Sequence, residues 1–377
     1  MNLENKNIKV IVGLSGGVDS AVALINLKEQ GYDVEAMYMR NWDSAVNGDI
    51  LGNPDLLEDV CPQEKDYQDA VKVAKKLGVK IHRVDFVEEY WDNVFSYFLD
   101  EYRHNRTPNP DVLCNKEIKF KAFLEKALEL GADYIAMGHY ARVIHSDKHY
   151  LLRGKDNNKD QTYFLCQVNS YQLSKALFPI GDMEKPAVRQ KAADYGLEVA
   201  TKKDSTGVCF IGERNFKEFL KNYLPATPGD IVDTNGKVVG RHEGIMYYTI
   251  GQRHGLGIGG PGEAWFVCGK DVQKNQLIVG QGNQTELLYA NRVIVTNVNI
   301  INGPLVDNGN LTAKFRYRQA DVKINIKWLS EDKLEITTTE PSKAITPGQF
   351  AVIYDGEYCL GGGIIDEVFM DDVKRRY

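Results

Sequence analysis

A chain of 377 residues is too long for one ordinary core, so two or three domains are expected. Hydrophobic residues at 43% and charged residues at 26% are those of a globular protein; no apolar run nears the ~20 residues of a membrane span, and the polar start MNLENKNIK is no signal peptide, so a cytoplasmic protein without a membrane partner is predicted. A formal charge of −6 excludes a protein that coats nucleic acid through general positive charge, and six cysteines, none in a C-x-x-C pair and all expected to be reduced, argue against a zinc ribbon or iron–sulfur cluster.

Residues 10–14 read as a buried parallel strand, residues 21–25 as the apolar start of a helix, and Ser15-Gly16-Gly17-Val18-Asp19-Ser20 joins them. Glycines at that junction let a ligand approach the backbone, and the free N–H groups and positive dipole end of the helix suit a phosphate. The loop has neither the Lys-Ser/Thr pair of the Walker A motif nor a G-x-G-x-x-G pattern. It resembles the pyrophosphate loop (PP-loop) of the ATP pyrophosphatases, which cleave ATP between the α and β phosphates; the alternative is a tight βα turn without a ligand.

Further along, residues 32–39 read as a second strand with Met39 at its carboxyl end, where a nucleotide base or only core packing is its neighbour. Residues 40–64 are polar and broken by Gly52, Pro54 and Pro62, and read as a long loop. A helix over 66–77 and a strand over 79–84 follow, then a helix over 87–102 whose aromatics (Tyr90, Trp91, Phe95, Phe98, Tyr102) recur at core spacing. A helix over 117–130 and a strand over 134–137 continue the rhythm of a doubly wound α/β domain with a parallel sheet. Before that helix lies Arg106-Thr107-Pro108-Asn109-Pro110-Asp111-Val112-Leu113-Cys114. Cys114 is either a small buried residue or a thiol activated by Lys116, Lys119 and the helix N-terminus, and Asp111 suits acid/base work. After residue 137 come Gly138, fitting close passage of a nucleotide, and His139, a ligand contact or a satisfied loop histidine.

Short helices are predicted over 171–177 and 186–195, and Asp204-Ser205-Thr206-Gly207-Val208-Cys209 sets a second thiol among turn formers. A helix over 215–224 and prolines 225 and 228 lead into strand-and-turn patterns, with the glycine-rich residues 255–262 read as a loop and not a phosphate cradle. The alternating segments from residue 287 onward fit a closed antiparallel barrel. In it, Phe315-Arg316-Tyr317-Arg318 reads as a strand with arginines on one face and aromatics on the other.

The ordered set SGGVDS, RTPNPDVLCN, MGHYAR, KDQTYFL and STGVCFIGER, followed by YTIGQRHGLG and FRYR, is similar to that of the tRNA-specific 2-thiouridylases. The resemblance implies a PP-loop catalytic domain over 1–212, a small mostly-β middle domain over 213–286 and a tRNA-contacting β-barrel over 287–377. It implies that Gly13, Leu14, Ser15, Gly16, Gly17, Val18, Asp19 and Ser20 hold ATP, with Met39 and Gly138 at the adenosine. Asn109, Pro110 and Asp111 would meet the target base, with Asp111 the acid/base. Cys209 would carry a persulfide, and Cys114 would be the partner thiol that closes a Cys114–Cys209 disulfide. Lys159, Asp160, Gln161, His139, Tyr317, Arg318 and Gln349 would contact tRNA. The implied partners are the tRNAs for Glu, Gln and Lys and a sulfur-donor protein, with ATP and Mg²⁺ consumed or bound.

The residues suit that chemistry on their own terms. Uridine O2 is a poor leaving group until adenylated, Mg²⁺ offsets the charge on pyrophosphate, and sulfur needs one thiol to carry it and another to resolve the persulfide. Two other readings remain: an amide-forming PP-loop enzyme, which needs no thiol pair, and a nucleotide-gated RNA-binding module, which leaves ATP intact. Cys61, Cys166, Cys268 and Cys359 are assigned no role beyond structure.

Overall fold

The computed structural model describes residues 3–54, 62–204, 207, 209, 211, 214–282, 285–307 and 309–377. Cys61 and most of the stretch 205–213, apart from Gly207, Cys209 and Ile211, lie outside the described residues.

The first half is the expected doubly wound unit. Strand β1 (Lys9–Gly13) leads through the loop into helix α1 (Val18–Glu29), followed by β2 (Asp33–Arg40), α2 (Pro62–Leu77) and β3 (Ile81–Asp85). Residues 21–25 are apolar on every side of α1 and all are buried, which a helix covered by sheet and neighbouring helices requires. Helix α2 starts four residues earlier than the sequence suggests, because Pro62, read there as a breaker, stands in the first turn, where its missing N–H has no partner to lose.

Next come α3 (Val87–Tyr90), a π-helical turn (Trp91–Phe95), α4 (Ser96–Arg103), α5 (Pro110–Leu113), a π-helical stretch (Cys114–Ala122) and α6 (Phe123–Glu129). The aromatics at 90, 95, 98 and 102 are buried together, as their spacing indicates. The helix expected over 117–130 in fact begins at Pro110: Asn109 is its N-cap, accepting from the Val112 N–H at 3.3 Å, and Pro110 is fixed in the first turn. Cys114 therefore lies inside the helical run and not before its N-terminus.

Strand β4 (Tyr134–Ala136) follows, then a hairpin of β5 (Ala141–His145) and β6 (His149–Arg153) that the sequence reading did not anticipate. The segment read as a helix over 171–177 divides into α7 (Ser170–Ser174) and the short β7 (Ala176–Leu177), before α8 (Lys185–Asp194). The parallel sheet has five strands in the order β3-β2-β1-β4-β7. Strand order reverses between β1 and β4, so the crevice for a ligand lies beyond their carboxyl ends, where the loop after Gly13 meets the loop after Ala136.

Helix α9 (Phe216–Lys221) precedes β8 (Gly229–Asp233), β9 (Val238–His242), β10 (Trp265–Asp271) and β11 (Gln276–Gln281), which form one four-stranded sheet. The remainder is β12 (Tyr289–Ile300), β13 (Thr312–Lys314), β14 (Val322–Ser330), β15 (Lys333–Lys343), β16 (Phe350–Asp355), β17 (Tyr358–Met370) and β18 (Val373–Lys374). Antiparallel pairing runs β12-β15-β14-β13-β16-β17 and closes through β12 on β17, so the barrel has no free edge in that circuit. Val293, Val295, Phe315, Ile336, Ile353 and Ile365 fill its interior. The β5–β6 hairpin pairs with β17 outside the circuit and ties the barrel to the first domain.

The strand expected through residues 315–318 is absent. Strand β13 stops at Lys314 and the chain turns, with Gln319 Oε1 accepting from the Phe315 N–H at 2.9 Å and the Gln319 N–H reaching Arg316 O at 3.1 Å. Arg316 is half-buried and turned to the protein: its guanidinium donates to Ile250 O and Thr346 Oγ1 at 2.5 and 2.7 Å.

Candidate active site

The loop after β1 is built for close backbone approach. Gly16 has φ +76°, and a Cβ there would lie 2.2 Å from Asp66 O. Gly17 is the N-cap of α1 and supplies no side-chain cap, which leaves the first amides of the helix available to an anion. Ser20 braces the turn: its hydroxyl donates to Gly17 O at 3.1 Å and accepts from the Ser15 N–H at 3.2 Å. The Leu14 N–H bonds Met37 O at 3.0 Å, and the Val18 side chain is buried. Met39 is buried near Gly13, where Met137 Sδ would stand 2.7 Å and Met39 Cε 3.5 Å from an added Cβ.

Gly138 owes its identity to the protein itself. A Cβ there would meet Ser20 N at 2.8 Å and the Asp19 carbonyl carbon at 2.9 Å, so the two loops touch backbone to backbone. Asp19 accepts from Tyr140 Oη at 2.8 Å and from Lys185 Nζ at 2.8 and 2.9 Å. Lys185 also reaches Asp204 at 2.8 Å, and Lys159 and Arg189 reach Asp204 at 2.9 and 2.6 Å. Partial burial works against the Asp204 charge, but the bonds from Lys185 and Lys159 outweigh it and hold its pKa at about 2. Lys202 bonds Gly16 O at 3.0 Å together with Asp66 and Asp69. The loop thus sits in a ring of lysines and arginine already balanced by carboxylates. Lys185, Lys202, Asp204 and Tyr140 escaped the sequence reading; only Asp204, standing just before the second thiol motif, carried a local signal.

The two thiols named from the sequence do meet. Cys114 Sγ and Cys209 Sγ are 3.5 Å apart, and both are reduced. The backbone of Cys209 is gripped from two sides: its N–H donates to Asp111 Oδ1 at 3.1 Å, and its carbonyl accepts from Tyr90 Oη at 2.8 Å. Tyr90, counted from the sequence as core alone, is both core and clamp; periodicity reports that a ring is buried but not where its hydroxyl points. Burial raises the pKa of Asp111, with the Cys209 N–H and Lys119 opposing. Burial also raises Cys114 well above an ordinary thiol, and the neighbouring Cys209 raises it further. Cys209 is lowered, first by the bond from Cys114 and, against burial, by Lys119. The thiol activated by its surroundings is therefore Cys209, contrary to the expectation that nearby lysines activate Cys114. Lys116 plays no part: its Nζ lies 3.4 Å from Gln167 Oε1.

The clamp has a measurable consequence. Tyr90→Phe leaves a buried carbonyl without its donor, which costs about 1–3 kcal/mol. A lower melting temperature and slower air oxidation of the thiol pair are expected; unchanged oxidation would mean that Tyr90 does not hold Cys209 in place.

Residues expected to touch RNA divide into two sets. Asn109, Pro110 and Gln349 converge: Gln349 Nε2 donates to Thr107 O and Pro108 O at 2.8 and 3.1 Å, and its Oε1 lies 3.5 Å from Asn109 Nδ2. Gly348, at φ +90°, allows this approach, since a Cβ would lie 2.8 Å from Thr107 O. The barrel thereby reaches the loop that carries Asp111. Tyr317 is half-buried on Phe164, ring centroids 4.3 Å apart, beside the exposed Arg318. His139 is buried against Phe120 and Phe178; burial and the charge of Lys119 hold its pKa well below the ordinary value, and its Nδ1 has no hydrogen-bond partner among the described residues. By contrast, Asp160 is turned inward, accepting from Thr162 Oγ1 at 2.9 Å and the Gly154 N–H at 3.1 Å, and Gln161 Oε1 accepts from the Tyr140 N–H at 2.9 Å. Both hold the loop that presents Lys159.

Family models match most of the chain in three parts: a tRNA methyl transferase HUP domain over residues 8–213, a tRNA methyl transferase PRC-barrel domain over 217–281, and an aminomethyltransferase beta-barrel domain over 290–365. Among curated proteins, the chain is 54% identical to the tRNA-specific 2-thiouridylase MnmA of Bacillus mycoides (strain KBAB4), over 100% of both chains. It is 55% identical to the protein of the same name from Bacillus cytotoxicus, again over 100% of both.

Proposed function

The chain belongs to the tRNA-specific 2-thiouridylase family, and on that premise we propose that it is a tRNA-uridine 2-sulfurtransferase, which uses ATP to replace O2 of a tRNA uridine with sulfur. The observation that carries this reading is the reduced thiol pair, 3.5 Å apart, with the backbone N–H of Cys209 held by Asp111. The family descriptions speak of methyl transfer; a thiol pair in the same domain as a glycine-rich phosphate loop instead suits sulfur transfer.

We take the division into 1–212, 213–286 and 287–377 as the working domain organisation, and the cytoplasm as the place of action; no described helix is long and apolar enough to cross a membrane. ATP fits the loop because the Gly16-Gly17 backbone and the uncapped start of α1 form an anion cradle with Lys185 and Lys202 beside it. Mg²⁺ would be held chiefly by the phosphates and offset charge on the leaving pyrophosphate; Asp19, the carboxylate of the loop, is already taken by Lys185 and Tyr140.

The target uridine of tRNA for Glu, Gln or Lys is held by Asn109, Pro110 and Gln349, with Lys159, Tyr317 and Arg318 further along the RNA; His139, expected from the sequence as a further contact, is buried against Phe120 and Phe178 and stands behind that surface. Transfer of AMP to O2 makes that oxygen a leaving group, and Asp111, kept protonated more readily by burial, can exchange a proton with the base. A sulfur-donor protein loads Cys209 as a persulfide. Sulfur reaches C2 either as the bound persulfide or as hydrosulfide; on both routes AMP departs, Cys114 attacks the Cys209 sulfur, the S–S bond to the transferred sulfur breaks, and the two cysteines end as a disulfide. A reductant must then reopen it.

The test is a mercury-gel shift of unmodified tRNA for Glu after incubation with the protein, Mg-ATP and a persulfide-generating desulfurase. A retarded, ATP-dependent band is expected; its absence with pyrophosphate still released would point to another acceptor. Because an acidic protein meets RNA through few cations, tRNA affinity is also expected to fall steeply between low and physiological salt. Filter binding that is flat with salt would contradict this mode of contact.

A further inference from the structure

The helical run that carries Cys114 is not α-helical where it matters. From Cys114 to Ala122 the backbone is π-helical, and the Phe123 N–H still bonds Ile118 O, five residues back. In a π-helix the i→i+5 bond sets residue i+5 over residue i. In an α-helix residue i+5 would lie about 140° around the axis. Lys119 is five residues after Cys114, so the π register turns its side chain toward the thiol pocket, whereas the same sequence as α-helix would carry it away. The second π-helical turn, Trp91–Phe95, directly follows Tyr90, the residue that grips the Cys209 carbonyl. Such turns cost helix stability and concentrate at functional sites.

Lys119 hydrogen-bonds the Cys209 sulfur. The other titratable groups facing this thiol are Cys114, Asp111 and Tyr90, and His139 lies within reach of the Lys119 charge. None of these is a cation: His139 is held neutral, and the buried Tyr90 keeps its proton. We propose that Lys119, placed by the π-helical register, is the catalytic cation that makes Cys209 and not Cys114 the sulfur-accepting thiolate. Burial works against the charge on Lys119, but the two sulfurs and Asp111 outweigh it and keep the ammonium protonated. The assignment rests on the proposed function, in which Cys209 receives sulfur. In that step the Cys209 thiolate attacks the terminal sulfur of the donor's persulfide, the donor S–S bond breaks, and the donor thiolate leaves. Lys119 holds the negative charge on Cys209 before the attack and on the persulfide after it, while Cys114 keeps its proton until it is needed.

The test is the pH profile of Cys209 alkylation by iodoacetamide, followed by peptide mass spectrometry on the full chain. The wild type is expected to inflect below the ordinary thiol value of about 8.5. In Lys119→Met the inflection should rise by about one unit or more, and Lys119→Arg should restore it. At pH 7 the rate should fall only about threefold per unit, because a more basic thiolate is also a better nucleophile and offsets part of the tenfold loss. Lys119→Gln gives the same reading if Lys119→Met does not fold. An inflection that stays in place in both uncharged variants, or one that Lys119→Arg fails to restore, overturns the assignment. The mercury-gel assay on the same wild-type preparation separates this from the function itself. An unthiolated tRNA with a shifted Lys119 profile would defeat the function and leave the thiolate assignment standing.

Discussion

Cys209→Ser is expected to reduce tRNA thiolation about a thousandfold or more, to the level of the uncatalysed mixture. A serine hydroxyl cannot hold sulfane sulfur, and no described group can take over. Cys114 is 3.5 Å away but buried and held protonated, so it does not offer a thiolate to the donor. Cys114→Ser should differ in kind: Cys209 retains Lys119 and its backbone clamp and still loads sulfur, yet turnover stalls because no second thiol resolves the persulfide. Mass spectrometry of the Cys209 peptide after incubation with a desulfurase tells the two apart. Persulfide that accumulates in the Cys114 variant and is absent from the Cys209 variant is the expected pattern. Equal loading of Cys209 and its serine replacement would remove it from the sulfur path.

The second large effect is expected at Gly16. Its φ of +76° costs a residue with a Cβ about 1–2 kcal/mol by itself. The larger obstacle is position, since the added carbon would stand 2.2 Å from the backbone oxygen of Asp66, an atom that no side-chain rotation can move. Gly16→Ala therefore has to displace either the loop or the start of α2. Nucleotide affinity should fall by about a hundredfold as the anion cradle opens, since the loss of two good contacts is worth about 3 kcal/mol. Gly236 is the control. It has a similar φ of +84° with nothing within 4 Å of an added Cβ, so Gly236→Ala should cost only the same backbone term of about 1–2 kcal/mol of stability and leave nucleotide binding intact. Titration calorimetry with ATP decides. Wild-type affinity in Gly16→Ala would mean that the loop is not the phosphate site.

Much of this molecule was readable because its local signals are strong. The run before Gly13, the glycine pair and the apolar start of α1 specify a strand, a turn and a covered helix without outside help. Alternation from residue 289 onward specifies strands, since one face must be apolar to fill a barrel. Where local signals compete, the reading slipped. Pro62 reads as a breaker and is a helix start, because the same missing N–H is harmful inside a helix and harmless in its first turn. Residues 315–318 alternate like a strand, but Arg316 finds its acceptors on Ile250 and Thr346, and those bonds hold a turn.

The sequence by itself determined the parallel α/β rhythm of the first domain and the strand character of the barrel, and it singled out the glycine loop and the two cysteines, because each is written in a short stretch of neighbouring residues. Only the tertiary structure decided which thiol is activated, since the 3.5 Å meeting of Cys114 with Cys209 and the Tyr90 and Asp111 bonds to the Cys209 backbone arise between distant segments. It also decided that Gly138 answers to the backbone of α1 and that Asp160 faces inward. The physical reason is common to these cases. Periodicity records that a side chain leaves water, but the partner it finds there, and hence its charge state, depends on residues brought alongside by the fold.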